Sequence, residues 1–274
     1  MAIGLHSVST KEPNVDSGLY AACAGLRAQS QALEVAAHNL ANLNTTGFRG
    51  QQATFQSLVA APVPDSNGVS NVLGNGLSLV LNRATNNFGV LEGTHMDLTA
   101  GNLLGTGNPL DVAIEGSGFF AIQTAGGTRY TRNGSFQVSS SGQLVTAAGD
   151  LVLSDPTLKD KNGINVPAGV VSIASDGTLS VNGAVTGTIA LVQFASRTPL
   201  TSEGGSLISA PAGSAVPVPQ PALKQGALES SNVNSIGSVV TLIGVQRQAE
   251  MVQRALSLFD SEFNQIASTQ LAKV

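Results

Sequence analysis

The sequence predicts an α+β protein. Long N- and C-terminal helices pair as an α-helical, coiled-coil-like domain, and a β-rich antiparallel domain lies between them. Three observations predict this. Leu19, Leu26, Leu33 and Leu40 recur every seven residues in an alanine-rich stretch. Leu242, Val245, Ala249, Val252, Leu256, Phe259, Phe263 and Ile266 follow an alternating three-four spacing. Between the two stretches, short apolar runs alternate with glycine-containing turn signals. Each terminal pattern puts one apolar stripe on one side of a helix, and a sustained heptad favours a seam between helices. The stripes admit two readings, pairing within one chain or packing between subunits. The length of both helices and the Gln and Asn beside their stripes favour packing between subunits.

Residues 1–15 show no periodicity, carry Pro13 and Asn14 as breakers, and read as a disordered leader. Asp16 or Ser17 then supplies an N-cap for a helix that reaches about Leu43. At 1.5 Å rise per residue that helix is roughly 40 Å long. Ala22, Ala28, Ala32, Ala36, Ala37 and Ala41 keep it slim enough for a neighbour to approach closely. Asn42 to Gly50 ends it: Thr45 and Thr46 are β-branched, and Gly47 suits a left-handed turn. Residues 16–50 thus form the N-terminal part of a helical core, paired with 230–274.

Residues 51–108 are rich in Gly and Asn, hold Pro62 and Pro64, and read as an irregular connector with some extended pieces. Residues 109–222 form the β-rich domain. Its strand-length runs include Leu110–Ile114, Phe119–Thr124, Thr128–Thr131, Ser135–Ser139 and Gln143–Thr146, then Val170–Ala174, Thr178–Val181 and Thr188–Ala195. Gly116-Ser117-Gly118, Asn133-Gly134, Asp176-Gly177 and Asn182-Gly183 punctuate them, and Asn133-Gly134 reads as a tight turn with positive φ. A proline-bearing linker follows, and residues 223–274 contain the C-terminal helix, which begins near Val233 to Ser235 and runs to about Leu271. Its roughly 35 residues span about 50 Å.

Composition narrows the function classes. Of 274 residues only 11% are charged, and the formal net charge of −4 offers no basic footprint for nucleic acid. No apolar run approaches the roughly 20 residues needed to span a bilayer. Met1 to Asp16 has neither a basic n-region nor an apolar h-region, so no cleaved signal is expected. A single cysteine, Cys23, excludes an intramolecular disulfide and reads as a small buried hydrophobe. His6, His38 and His95 fall on three separate elements without a metal-ligand partner at helical spacing. Gly116-Ser117-Gly118-Phe119-Phe120-Ala121 fits a dinucleotide fingerprint formally, but such a fingerprint must open a helix, and Phe119–Thr124 alternates as a strand. Asp111, Glu115, Asp150, Asp155, Asp160 and Asp176 sit mostly beside turns, where Asp is ordinary. Replacing Asp111, Glu115, Asp150 or Asp176 by Ala is expected to cost little. No catalytic residue, cofactor site or metal site is expected.

Three ordered blocks resemble a known family. Ser17-Gly18-Leu19-Tyr20-Ala21-Ala22, followed by Asn39-Leu40-Ala41-Asn42-Leu43-Asn44-Thr45-Thr46-Gly47-Phe48-Arg49, resembles the N-terminal signature of bacterial flagellar axial proteins, the rod and hook subunits. Thr106-Gly107-Asn108-Pro109-Leu110-Asp111-Val112-Ala113-Ile114 with Tyr130-Thr131-Arg132-Asn133-Gly134-Ser135-Phe136 is similar to the β domain of the FlgF, FlgG and hook branches. Gly226-Ala227-Leu228-Glu229-Ser230-Ser231-Asn232-Val233-Asn234 resembles the C-terminal signature. Two departures stand out. Residues 1–15 look like an extension, and Ser235-Ile236-Gly237-Ser238-Val239-Val240 replaces the acidic, Met-containing segment usual in the family.

The resemblance, to basal-body rod proteins of the FlgF/FlgG kind, implies a structural subunit that polymerises helically into a hollow, torque-transmitting shaft. Its implied partners are further copies of itself, other rod and hook subunits, the flagellar type III export apparatus and the surrounding basal-body rings. The implied location is the periplasmic rod, reached without signal cleavage. Leu19, Leu26, Leu33, Leu40, Leu242, Val245, Val252, Leu256, Phe259, Phe263 and Ile266 are the expected subunit contacts. Asn42, Asn44, Thr45, Thr46, Gly47 and Phe48, with Ser231, Asn232, Val233 and Asn234, are the family motif residues. A β-rich adhesin or tail-tube-like subunit, trimerised by its helices, is the alternative. An enzyme would need a pocket of converging titratable groups that the sequence does not announce.

Overall fold

The computed structural model describes residues 15–57, 89–154, 157 and 162–271. The leader and the Pro62-Pro64 stretch lie outside them. Two helices and eighteen strands are present among these residues. Helix α1 is Val15–Ala41, and its end is held by Asn42, whose Nδ2 donates to the His38 carbonyl at 2.9 Å. Thr45 Oγ1 then donates to Asn42 Oδ1 at 3.1 Å, and Gly47 takes φ 68°, the left-handed turn that only glycine adopts without strain.

Strands β1 (Gln51–Ser57) and β2 (Gly89–Met96) pair with each other. Next come β3 (Leu103–Gly105), β4 (Val112–Ile114), β5 (Phe119–Thr124) and β6 (Gly127–Thr131). They are followed by β7 (Phe136–Val138), β8 (Leu144–Thr146) and β9 (Leu151–Val152). A separate antiparallel meander is formed by β10 (Val171–Ile173), β11 (Thr178–Val181) and β12 (Ala184–Thr188). The remaining strands are β13 (Leu191–Gln193), β14 (Thr201–Ser202), β15 (Leu207–Ser209), β16 (Val216–Pro217), β17 (Leu223–Gln225) and β18 (Ala227–Glu229). Helix α2 is Ser235–Leu271.

The main sheet has nine strands in the path β14-β15-β6-β5-β9-β8-β7, with β13 on β5 and β16 on β13. Its organising strand is β5, buried on both faces. Phe120 and Ile122 enter one apolar cluster with Phe136, Leu144 and Leu179, while Phe119 and Ala121 enter another with Tyr130, Leu153 and Ile208. Burial on both faces explains why β5 opens on the continuous apolar run Phe119–Ile122 and does not alternate as expected from its sequence. It also removes the dinucleotide reading of Gly116 to Ala121, because a strand follows the glycines.

The chain divides into two compact units. Of the described residues, one contains those within 15–34, 53–57, 89–93 and 241–271; the other contains those within 35–52 and 94–240. In the second, the late strands close the early ones: β17 pairs antiparallel with β4, and β18 with β3.

Three sequence expectations are corrected. First, no coiled-coil pair of N- and C-terminal helices is found among the described residues, and the central region is mostly strand. In α1 the buried positions are Ala28, Ala32 and Ala36, which offer little area, whereas Leu26, Leu33 and Leu40 are half-buried. In α2 the half-buried Leu242, Val245 and Val252 have exposed apolar neighbours in Val239, Val240 and Ile243. A heptad fixes an amphipathic face, not the partner that covers it. The side chains of Leu19, Leu256, Phe259, Phe263 and Ile266 lie outside the described residues.

The connector holds β1, β2 and β3. Second, Cys23 is exposed. Third, Gly134 has no positive φ and makes no tight turn. Its role is close approach: a Cβ there would stand 1.8 Å from the Val112 carbonyl oxygen.

Candidate functional site

The family motif residues converge in the second unit, at the junction between the end of α1, the strand pair β3–β18 and the start of α2. Asn39, near the end of α1, grips the chain after the turn in both directions. Its Oδ1 accepts the Gln51 N–H at 2.8 Å, and its Nδ2 donates to the Gln51 carbonyl at 2.7 Å. From the other end of the chain Asn232 does the same work. Asn232 Oδ1 accepts the Gly50 N–H at 2.8 Å, and Nδ2 donates to the carbonyls of Asp97 at 2.9 Å and Thr99 at 3.0 Å. Such side-chain amides satisfy backbone groups that have no ladder partner.

Beneath them lies a buried charge cluster. The side chains of Arg49, Arg132 and Glu229 are 1%, 3% and 1% exposed. Arg49 Nη2 stands 2.8 Å from Glu229 Oε1, and Arg132 Nη1 stands 3.0 Å from Oε2. Gly101 N–H also donates to Oε1, at 2.7 Å, and the Glu229 carbonyl accepts the Gly47 N–H at 2.8 Å. Arg49 Nη1 donates to the Thr99 carbonyl and Arg132 Nη2 to that of Gly116, while the Arg132 guanidinium lies over the Phe119 ring. Burial lowers the pKa of Arg132 to about 10 against the opposing pull of Glu229, and burial lowers that of Arg49 in the same way. Nε of both arginines is buried without a hydrogen-bond partner. Apart from these nitrogens, the groups pair with each other and with main chain, so the cluster holds structure.

The predicted motif residues divide by task. Asn42 and Thr45 close the turn after α1, and buried Phe48 packs edge-on against His38 with ring centroids 5.4 Å apart. Gly47 lies so close to Arg132 that a Cβ would be 2.4 Å from the Arg132 carbonyl carbon. Ser231 Oγ accepts the Val233 N–H at 3.2 Å, and Asn234 caps α2 by accepting the Gly237 N–H at 2.8 Å. Asn44 is exposed and Thr46 half-buried. Sequence reasoning did not single out Asn39, Arg49, Arg132 or Glu229 as site residues. The signal was their position inside the motif blocks of a chain with only 11% charged residues.

The turn carboxylates also divide. Asp111 is buried; its Oδ2 accepts Thr106 Oγ1 at 2.7 Å and its Oδ1 accepts Asn108 Nδ2 at 3.0 Å. Asp176 is exposed, and the Thr178 N–H at 2.9 Å, together with the Thr178 hydroxyl, holds its carboxyl below the usual range. Asp111→Ala is therefore expected to cost about 1–3 kcal/mol in a denaturant melt, since it removes the two side-chain hydrogen bonds that the buried carboxylate accepts from the exposed Thr106 and Asn108. Asp176→Ala is expected to leave the midpoint almost unchanged. This reverses, for Asp111, the tolerance its sequence position suggested. Asp155 and Asp160 lie outside the described residues.

A buried clamp joining the two ends of a β unit, together with apolar side chains exposed on α2, fits a structural subunit. Family comparison specifies which kind. The profile described as "Flagella basal body rod protein" matches residues 19–49, "Flagellar hook protein FlgE/F/G D1 domain" matches 113–181, and "Flagellar basal body rod FlgEFG protein C-terminal" matches 224–268. The chain is 31% identical to the flagellar basal-body rod protein FlgF of Caulobacter vibrioides, over 95% of this chain and 100% of the relative. It is 34% identical to FlgG of Agrobacterium fabrum, over 91% and 97% of the two chains, and 31% identical to FlgG of Bacillus subtilis, over 91% and 97%. The chain belongs to the FlgF/FlgG family of flagellar basal-body rod proteins. It is a structural protein of the flagellar basal body and not an enzyme.

Proposed function

We propose that this rod subunit polymerises helically into a hollow shaft that transmits torque, with the stripes of α1 and α2 as its contacts between subunits. The observation that carries the reading is exposed apolar surface on α2: Ile236, Val239, Val240, Ile243, Met251 and Leu258, which are not stripe positions, add a second apolar face to the half-buried Leu242, Val245 and Val252. Apolar surface of this extent on a long helix signals an interaction face. Head-to-tail contacts that do not close into a ring generate such a filament. The expected neighbours are further copies, other rod and hook subunits and the surrounding rings. The expected site is the periplasmic rod, reached through the type III export apparatus without signal cleavage. No helix among the described residues is long and apolar enough to cross a membrane.

Leu33→Asp and Leu242→Asp test the contacts. Each places a charge in a half-buried apolar stripe of a helix. Both variants are expected to keep the wild-type melt of the β unit and to abolish rod assembly and motility. Phe259→Asp is expected to behave alike. Survival of motility in all three would remove the stripes from the interface.

A further inference from the structure

We propose that the Arg49–Glu229–Arg132 triad is a folding latch: residues 35–52 close onto the β unit only when Glu229, near the end of the chain, is in place. The latch is independent of the assembly role proposed above and rests on three observations. Glu229 is the carboxylate that pairs both guanidinium groups, and it also receives the Gly101 N–H at 2.7 Å and, at its main-chain oxygen, the Gly47 N–H at 2.8 Å. The two arginines repel one another, since Arg49 is among the influences that lower the Arg132 pKa. Both guanidinium groups are shut off from solvent, the side chains of Arg49 and Arg132 being 1% and 3% exposed.

Docking residues 35–52 before Glu229 arrives would therefore bury two adjacent like charges without their counter-ion, which is strongly unfavourable. Asp97 also acts on Arg49 through its charge, but it ranks behind Glu229 and is only half-buried. The early segment consequently waits for the late strand. Once β18 pairs with β3, Ser230 N–H reaches the Asn102 carbonyl at 2.8 Å, and Asn232 seals Gly50 and Asp97 from above.

Two amides make the latch testable, because their own acceptors do not belong to the late segment. Gln51 N–H donates to Asn39 Oδ1, and Asp97 N–H donates to the Gly50 carbonyl, each at 2.8 Å. Without a latch both could be protected as soon as the early half of the chain has folded. The experiment is pulse-labelled hydrogen exchange during refolding of the full chain. In the native sequence Gln51 and Asp97 are expected to gain protection together with Ser230, at least roughly tenfold more slowly than the amides of β5 and β6.

In Glu229→Gln, equilibrium protection at Gln51 and Asp97 is expected to fall at least about tenfold further than that of β5 and β6. Should that variant not fold, the triple variant Arg49→Met, Arg132→Met, Glu229→Leu decides. With no charge to bury, its Gln51 and Asp97 are expected to gain protection at the rate of β5 and β6. Protection of Gln51 and Asp97 ahead of Ser230 in the native chain, or an unchanged delay in the triple variant, overturns the latch.

Discussion

Gly134→Val is expected to destabilise the β unit by roughly 4–5 kcal/mol, at the upper end for a single substitution. The reason is backbone, not rotamer. A Cβ on Gly134 would lie 1.8 Å from the Val112 oxygen, 2.8 Å from the Val112 carbonyl carbon and 3.1 Å from the Phe120 ring. Val112 belongs to β4, which is tied to Gly134 by a hydrogen bond from the Val112 N–H to the Gly134 carbonyl at 3.0 Å and to β17 by pairing with Gln225. Relief requires β4 to move out of its place between them. Because the first added carbon already collides, Gly134→Ala is expected to be nearly as harmful as valine. That similarity separates close approach from a requirement for positive φ. Thermal melts of the two variants beside Asp176→Ala measure it, and a midpoint for Gly134→Ala within a degree or so of the native one would contradict the packing account.

Removing Glu229 is expected to have the second large effect. Glu229→Gln leaves Arg49 and Arg132 buried beside each other, and stranding buried charge in this way costs about 3–5 kcal/mol. Arg132→Met should cost less than Glu229→Gln. The carboxylate then keeps Arg49 and the Gly101 N–H, and the orphaned groups are fewer. The exposed pair Lys224–Glu115, 3.8 Å apart, provides the contrast, since its removal is expected to shift stability by less than about 1 kcal/mol. Urea titrations of the three variants give the ranking directly. Equal costs for Glu229→Gln and Glu115→Gln would mean that the buried cluster carries no net energy.

Local pattern was the legible part of this chain. The strand over Phe119–Thr124 and the strand over Thr178–Val181 carry the apolar residues, and the glycine turns around them were visible because β-turn chemistry is local. The bounds of the two helices could be read within a few residues, since their periodicity and the Asn234 cap are local too. What covers a helix was not legible. The leucine heptad of α1 predicted a seam that the described side chains do not form, and the deeper positions proved to be Ala28, Ala32 and Ala36. Gly134 was misread for the same reason: its constraint comes from Val112, a neighbour brought there by folding. The clamp itself joins Arg132 to Glu229 across 97 positions and Gly50 to Asn232 across 182. No spacing rule detects contacts of that separation. The family resemblance marked the blocks that hold them without saying that they touch.

The central claim is helical self-assembly through the terminal helices, and imaging tests it most directly. The full-length chain would be concentrated until it assembles and examined by electron cryomicroscopy beside the Leu242→Asp variant. The account predicts tubes with one regular helical symmetry from the native chain and only dispersed subunits from the variant. Discrete closed trimers from the native chain, or tubes unaffected by Leu242→Asp, would contradict it.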